Sequence, residues 1–123
     1  MLGVVIFAHG SRDPMWRQPV EAVADAVRRR DPASRVRCAY LELSEPDLPT
    51  AAAQLVGEGC RQLRILPLFF GMGKHARTDL PALVSTLQRQ FPAVNIQCLP
   101  AAGESERLAA LLADIALNDE AQA

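Results

Sequence analysis

Residues 2–8, Leu-Gly-Val-Val-Ile-Phe-Ala, form an unbroken apolar run that opens directly onto His9-Gly10-Ser11. A strand with one wet face alternates apolar and polar residues, whereas a continuous short run fits a strand covered on both faces. Such a strand belongs to a sheet sandwiched between helices, so the connections that follow must supply those helices.

They do so repeatedly. Pro14 fits a turn, and a helix is predicted from about Gln18 or Pro19 to Arg30, because Pro19 suits only a helix start. Val20, Val23, Ala24 and Val27 recur at i, i+3, i+4 and i+7 as its inner face. Arg28, Arg29 and Arg30 fall in its last turn, where cations suit the helix dipole. A second strand is predicted over Arg35–Leu43, alternating at Val36, Cys38 and Tyr40. Leu48, Ala52, Leu55 and Val56 mark a second helix that ends near Gly57–Gly59. The third strand, Leu63–Phe70, is strongly apolar and reads as central. Thr78 or Asp79 is the expected cap of the third helix, with Pro81 in its first turn and Leu80, Leu83, Val84 and Leu87 inward. Val94, Ile96 and Cys98 alternate as a fourth, edge strand. A last helix carries Leu108, Leu111, Leu112 and Ile115. The chain therefore reads as an α/β three-layer sandwich with a four-stranded, mainly parallel sheet. Residues 1–118 form one expected domain and 119–123 a frayed C-terminal tail.

Composition narrows the function. Of 123 residues half are hydrophobic and 22% charged, with a net charge of −1, a balance without the basic excess of a nucleic-acid binder. Cys38, Cys60 and Cys98 are widely spaced and form no CxxC pair, which argues against a zinc knuckle or iron–sulfur cluster. They read as structural cysteines in a reducing compartment. The apolar start lacks a basic lead and a cleavage site, and no apolar stretch approaches the roughly 20 residues of a membrane span. A cytoplasmic protein without membrane contact is expected.

Ligands of open α/β sheets bind beyond the carboxyl ends of the strands. His9 follows the first strand, Glu42 lies in the closing Tyr-Leu-Glu-Leu of the second, and His75 lies in the loop after the third. A lone strand-end histidine is more often structural than a ligand. Here both histidines of the chain fall at one rim with a carboxylate available, and that reverses the balance. Imidazole with carboxylate suits iron, cobalt, nickel or zinc, and three protein ligands leave positions open for substrate. Glu45 or Asp47 can replace Glu42 in this scheme, and Ser44, Glu45 or Asp47 can instead cap the second helix.

The loop His9-Gly10-Ser11-Arg12 allows close backbone approach and offers amides to an anion, but it matches no dinucleotide or phosphate-loop motif. The loop 71–79 is glycine-rich and contains Lys74, the only lysine, beside Arg77. Ser11, Arg12, Lys74 and Arg77 are candidate contacts for a ligand with several carboxylates. Phe69, Phe70 and Met72 are candidates either for an apolar wall or for core packing.

Three segments, Ala-His-Gly-Ser-Arg-Asp-Pro (8–14), Tyr-Leu-Glu-Leu-Ser-Glu-Pro-Asp-Leu-Pro (40–49) and Leu-Pro-Leu-Phe-Phe-Gly-Met-Gly-Lys-His-Ala-Arg-Thr-Asp-Leu-Pro (66–81), resemble the CbiX/SirB sirohydrochlorin chelatases. The resemblance spans nearly the whole chain in order and spacing. It implies a class II chelatase that inserts a divalent metal into a sirohydrochlorin-like tetrapyrrole without ATP, cobalt first, with iron or nickel as alternatives. The metal is then a substrate, and no tightly bound cofactor is expected. The resemblance makes His9 and His75 the metal-contacting histidines and Glu42 the supporting carboxylate. Its short, single-lobe form implies a symmetric homodimer with the cleft between subunits. Two other classes stay open: a metal or tetrapyrrole carrier without turnover, and an anion- or phosphate-handling enzyme built on the His9–Arg12 loop.

Overall fold

The computed structural model describes residues 1–118, apart from the side chain of His75. The expected tail, 119–123, lies outside the described residues. Strand β1 (Leu2–Ala8) leads through a 3₁₀ turn (Pro14–Arg17) to α1 (Gln18–Arg30) and β2 (Arg35–Tyr40). Then follow α2 (Leu48–Gly57), β3 (Gln62–Pro67), α3 (Lys74–Gln90) and β4 (Asn95–Cys98). A 3₁₀ turn (Ala102–Glu104) precedes α4 (Glu106–Leu117).

All strand pairs are parallel, in the order β2-β1-β3-β4. The register aligns Ala8 with Tyr40 and Phe7 with Pro67, so the carboxyl ends of β1, β2 and β3 finish at one level. Period-two geometry then sorts the side chains. Val5, Phe7, Leu63, Ile65 and Ile96 face one core with α2 and α3, while Ile6, Ala8, Val36 and Tyr40 face a second with α1. Phe7, Leu55, Leu63 and Leu87 have relative exposures of 2% or less, and each such burial stabilises the fold by about 1.5–3 kcal/mol. Because α1 and α3 lie on opposite faces, the boundary between β1 and β3 is the switch point at which α/β sheets form their crevice.

Several expected boundaries change. The second strand ends at Tyr40 rather than Leu43, since the outward Tyr40 amide donates to the Pro46 carbonyl at 2.9 Å and the chain turns back. Leu43 completes this turn with φ of 63°, a left-handed conformation unusual for a branched side chain. The third strand stops at Pro67, not Phe70, and Phe70 points to solvent at 75% exposure. The third helix starts at Lys74, four residues before Thr78. Gly73 takes the extended cap geometry, and the Arg77 amide donates to the Gly73 carbonyl at 3.0 Å. Thr78 donates its hydroxyl to the Lys74 carbonyl at 3.1 Å as an interior residue, and Pro81 lies inside the helix.

The last helix forms as α4, and its stripe Leu108, Leu111, Leu112 and Ile115 holds no buried residue. Helical periodicity reports that a face is apolar but not what covers it.

Candidate functional site

The β1–α1 and β2–α2 loops are stitched together through their backbones. The Leu41 amide donates to the Ala8 carbonyl, and the Glu42 amide donates to the His9 carbonyl, both at 2.9 Å. These bonds continue the β1–β2 pairing one step beyond the strands and hold Glu42 beside His9. The Ser44 hydroxyl completes the join: it accepts from the Ser11 amide at 3.2 Å and donates to the Ser11 carbonyl at 2.8 Å. Ser44 is therefore a loop tie rather than the cap of α2. Asp47 is that cap, accepting from the Thr50 amide at 2.9 Å, and hydrogen bonding from the Thr50 side chain, then from its amide, holds its carboxyl below the ordinary aspartate value. Asp13 caps the short Pro14–Arg17 turn through the Met15 amide at 3.0 Å.

Gly10 is required at this crossing. Its φ is +102°, and a β-carbon there would lie 1.7 Å from the Glu42 carbonyl oxygen. Only glycine satisfies both conditions at once.

The segment after β3 reaches the same place through an aromatic ring. Phe69 packs against the His9 imidazole with centroids 4.4 Å apart, and meets Phe7 edge-on at 5.8 Å. The α3 start lies alongside. Leu41, Phe69, Ala76, Asp79 and Leu80 line a cavity of about 70 Å³, which brings the first turns of α3 against residues next to both His9 and Glu42. His75 therefore sits in the first turn of α3 and not in a loop, next to Ala76. Phe69 is the ring that the linear sequence left undecided between wall and core. It is buried at 3% exposure yet contacts the site histidine, so it serves as both.

His9, Glu42, Arg12, Lys74 and Arg77 are exposed, and Ser11 is half-buried. Arg12 stands on the β1–α1 loop, whereas Lys74 and Arg77 stand on the first turn of α3. That turn carries no acidic residue, although cations at a helix N-terminus oppose the macrodipole. Among the described residues no three His, Cys, Asp or Glu groups converge as a metal centre; the His75 imidazole is not among those residues. Burial pushes the Cys38, Cys60 and Cys98 thiols up, which keeps them protonated and poor as metal ligands at neutral pH.

A concavity of about 830 Å³ lies along the free edge of β2 between α1 and α2. It includes Glu42 and Glu45 but not His9, so size alone does not mark the rim where the loops converge. Near it Arg17 stacks over Tyr40 at 5.5 Å, with Trp16 at 6.2 Å from the same ring. This cluster anchors the start of α1, and no spacing in the sequence announced it.

A family profile described as CbiX matches residues 3–118. A sirohydrochlorin cobaltochelatase from Methanosarcina acetivorans is 30% identical over 95 residues, covering 77% of this chain and 73% of that protein. For a second sirohydrochlorin cobaltochelatase, from Methanococcus aeolicus, identity is 27%, and the match covers 72% of this chain and 62% of the relative. The chain thus spans about two-thirds of the length of these curated relatives. A crystal structure of a putative cobalamin biosynthesis CbiX protein from Marinobacter aquaeolei superposes over the full length of both chains, with a TM-score of 0.83 and 28% identity. The sirohydrochlorin chelatase SirB from Bacillus subtilis subspecies spizizenii, in complex with cobalt, shares the fold at a TM-score of 0.79 and 21% identity; 96% of this chain corresponds to 50% of that one. With nearly its whole length matched and the same α/β architecture in its structural neighbours, the chain belongs to the CbiX family.

Proposed function

We propose that this protein is a sirohydrochlorin chelatase, a lyase-class enzyme that places a divalent metal in a sirohydrochlorin-type tetrapyrrole without ATP. The observation that carries this reading is the backbone join of His9 to Glu42 at the carboxyl ends of β1 and β2, with the His75 turn of α3 packed alongside. Cobalt is the first metal, in line with the names of the similar proteins, with iron and nickel as alternatives. The metal is substrate rather than resident cofactor, and the enzyme works in the cytoplasm as a single-domain subunit.

Insertion removes two pyrrole N–H protons and exchanges the ion's water ligands for ring nitrogens. His9 and His75 divide this work, because a nitrogen bound to metal cannot also accept a proton. Glu42 offsets the metal's charge or orients a histidine. The Phe69 ring limits the imidazole of His9 to one side. Ser11, Arg12, Lys74 and Arg77 receive the acidic side chains of the macrocycle, which explains cations tolerated at the start of α3. The exposed ring of Phe70 offers an apolar surface to the macrocycle plane.

A lone rim of exposed residues is only one wall. A tetrapyrrole held between two walls calls for a second lobe, and a symmetric homodimer supplies it.

The test mixes purified protein, sirohydrochlorin and Co²⁺, Fe²⁺ or Ni²⁺ and follows the visible spectrum against a protein-free control. Acceleration with at least one metal is expected; rates equal to the control for every metal would overturn the proposal. Binding of metal and macrocycle without acceleration would identify a carrier instead. His9→Ala and His75→Ala should each lower the rate ~100-fold or more, the usual weight of a proton-transfer group. Glu42→Gln should cost roughly 10–100-fold. A phosphate enzyme would tolerate loss of His75.

A further inference from the structure

We infer that Leu43 is a contact for the tetrapyrrole substrate, an apolar side chain that the His9–Glu42 join holds out at the rim in a strained turn. This rests on the proposed chelatase reading and adds to it a binding residue outside the set His9, Glu42 and His75.

Leu43 carries two costs. Its φ of 63° lies in the left-handed region, where a β-carbon crowds the following carbonyl, and no other non-glycine residue among the described residues has a positive φ. Its side chain is also 54% exposed, so burial within the chain does little to offset the strain. The backbone does not need a leucine there. The Glu42 amide donates to the His9 carbonyl at 2.9 Å, and the Ser44 amide to the Glu42 carbonyl at 2.8 Å. The Ser44 hydroxyl accepts from the Ser11 amide at 3.2 Å and donates to the Ser11 carbonyl at 2.8 Å. These bonds fix the residues on both sides and impose the turn on whatever stands at position 43. Glycine would adopt it freely, and asparagine with little strain. A leucine kept in such a turn with its side chain in water serves a ligand rather than the fold.

The surroundings of Leu43 define the ligand's chemistry. Leu43 follows Glu42, whose backbone is joined to His9. In the loops beyond the carboxyl ends of β1, β2 and β3, Met15, Leu41 and Phe70 are exposed as well. Large apolar side chains left in water along one rim fit a ligand with an apolar surface. Leu43 also lines an open dip of about 600 Å³ with Arg17, Ser44 and Glu45. Arg17 lies over the Tyr40 ring at 5.5 Å and takes part in no ion pair among the described residues. A flat apolar ring bearing carboxylates satisfies both side chains, with its edge on Leu43 and an acidic group on Arg17. Glu45 repels a carboxylate, so the acidic group enters on the Arg17 side of the dip. A bare metal ion or a phosphate would gain nothing from the leucine.

Titration of sirohydrochlorin into the intact, metal-free chain, followed by the visible spectrum of the macrocycle, tests the contact. Leu43→Gly and Leu43→Ala both delete the apolar side chain, and each should raise Kd ~5-fold, the weight of burying the exposed half of a leucine. Their stabilities should part: Leu43→Gly should melt ~3 °C above Leu43→Ala, because glycine takes the turn freely. Leu43→Met, with an apolar side chain of similar volume, should recover most of the lost affinity. Wild-type affinity in Leu43→Gly would overturn the proposal. So would a Kd that follows the melting temperature across the series rather than the loss of the side chain, since that is the mark of a structural residue. A smaller mass for Leu43→Gly than for wild type in light scattering would assign the leucine to a contact between copies and overturn it too. If the wild type itself neither binds sirohydrochlorin nor accelerates metal insertion, the chelatase reading falls. If the wild type does both while the glycine and alanine variants bind as tightly, the leucine contact alone falls.

Discussion

Gly10 passes so close to Glu42 that a β-carbon on Gly10 would stand 1.7 Å from the Glu42 carbonyl oxygen. The contact matters because the same crossing carries the His9–Glu42 hydrogen bond. One glycine thus decides whether a histidine from the first loop and a carboxylate from the second can share a rim.

Gly10→Ala should therefore cost both stability and activity. Alanine at φ +102° is strained by about 1–2 kcal/mol, and the collision with backbone must be relieved by moving one of the two loops. A loss of at least ~2 kcal/mol in urea unfolding is expected, together with a fall in chelatase rate under conditions where the variant is still folded. Unchanged unfolding and unchanged rate would show that the loops do not cross this tightly.

Gly103→Ala tests the other side of the site. A β-carbon there would lie 1.5 Å from the Phe70 carbonyl oxygen, and Gly103 also donates to the Phe69 carbonyl. Displacing this segment moves the Phe69 ring that abuts His9. Misplacement by about 1 Å can cost ~100-fold in rate, so a 10- to 100-fold lower kcat is expected with far-UV circular dichroism retained. The His9 imidazole resonances should shift as their ring neighbour moves. A normal kcat and unshifted resonances would separate Gly103 from the site.

Asp47 supplies a pH-dependent contribution of predictable sign. Its carboxyl is held down by accepting from Thr50, from the side chain first and from the backbone amide second. A depressed acid stabilises the fold above the unfolded-state value, near pH ~4, and this contribution fades as the pH falls through the lower folded value. Asp47→Ala should cost about 1 kcal/mol at neutral pH, as for loss of an N-cap. The difference from wild type should shrink as unfolding is measured at progressively lower pH through the acid range. A difference that does not vary across that range would contradict the capping account.

Much of the fold was legible because it rests on local pattern. The unbroken run Leu2–Ala8 implied a strand covered on both faces, and β1 spans those same residues between two cores. Pro19 implied a helix starting near Gln18, where α1 begins. The third helix was misjudged because Pro81 reads as a first-turn residue, while the start at Lys74 depends on Gly73 taking an extended cap conformation. Glycine permits that conformation without announcing it.

By itself the sequence determined the alternation of strands and helices, and it put His9 at the end of the first strand. Both follow from periodicity and chain order, which act over a few residues. Which acidic residue's backbone joins His9 was decided by tertiary structure. Glu42, Glu45 and Asp47 are near neighbours in the chain, but the Leu41–Ala8 and Glu42–His9 hydrogen bonds bring Glu42 to the rim, while Asp47 is consumed as a cap. The fate of α4 was decided there too. Its stripe is apolar by sequence, but whether the stripe is buried depends on the direction in which Gly103, Glu104 and Ser105 launch the helix, a relation between segments that no local period encodes.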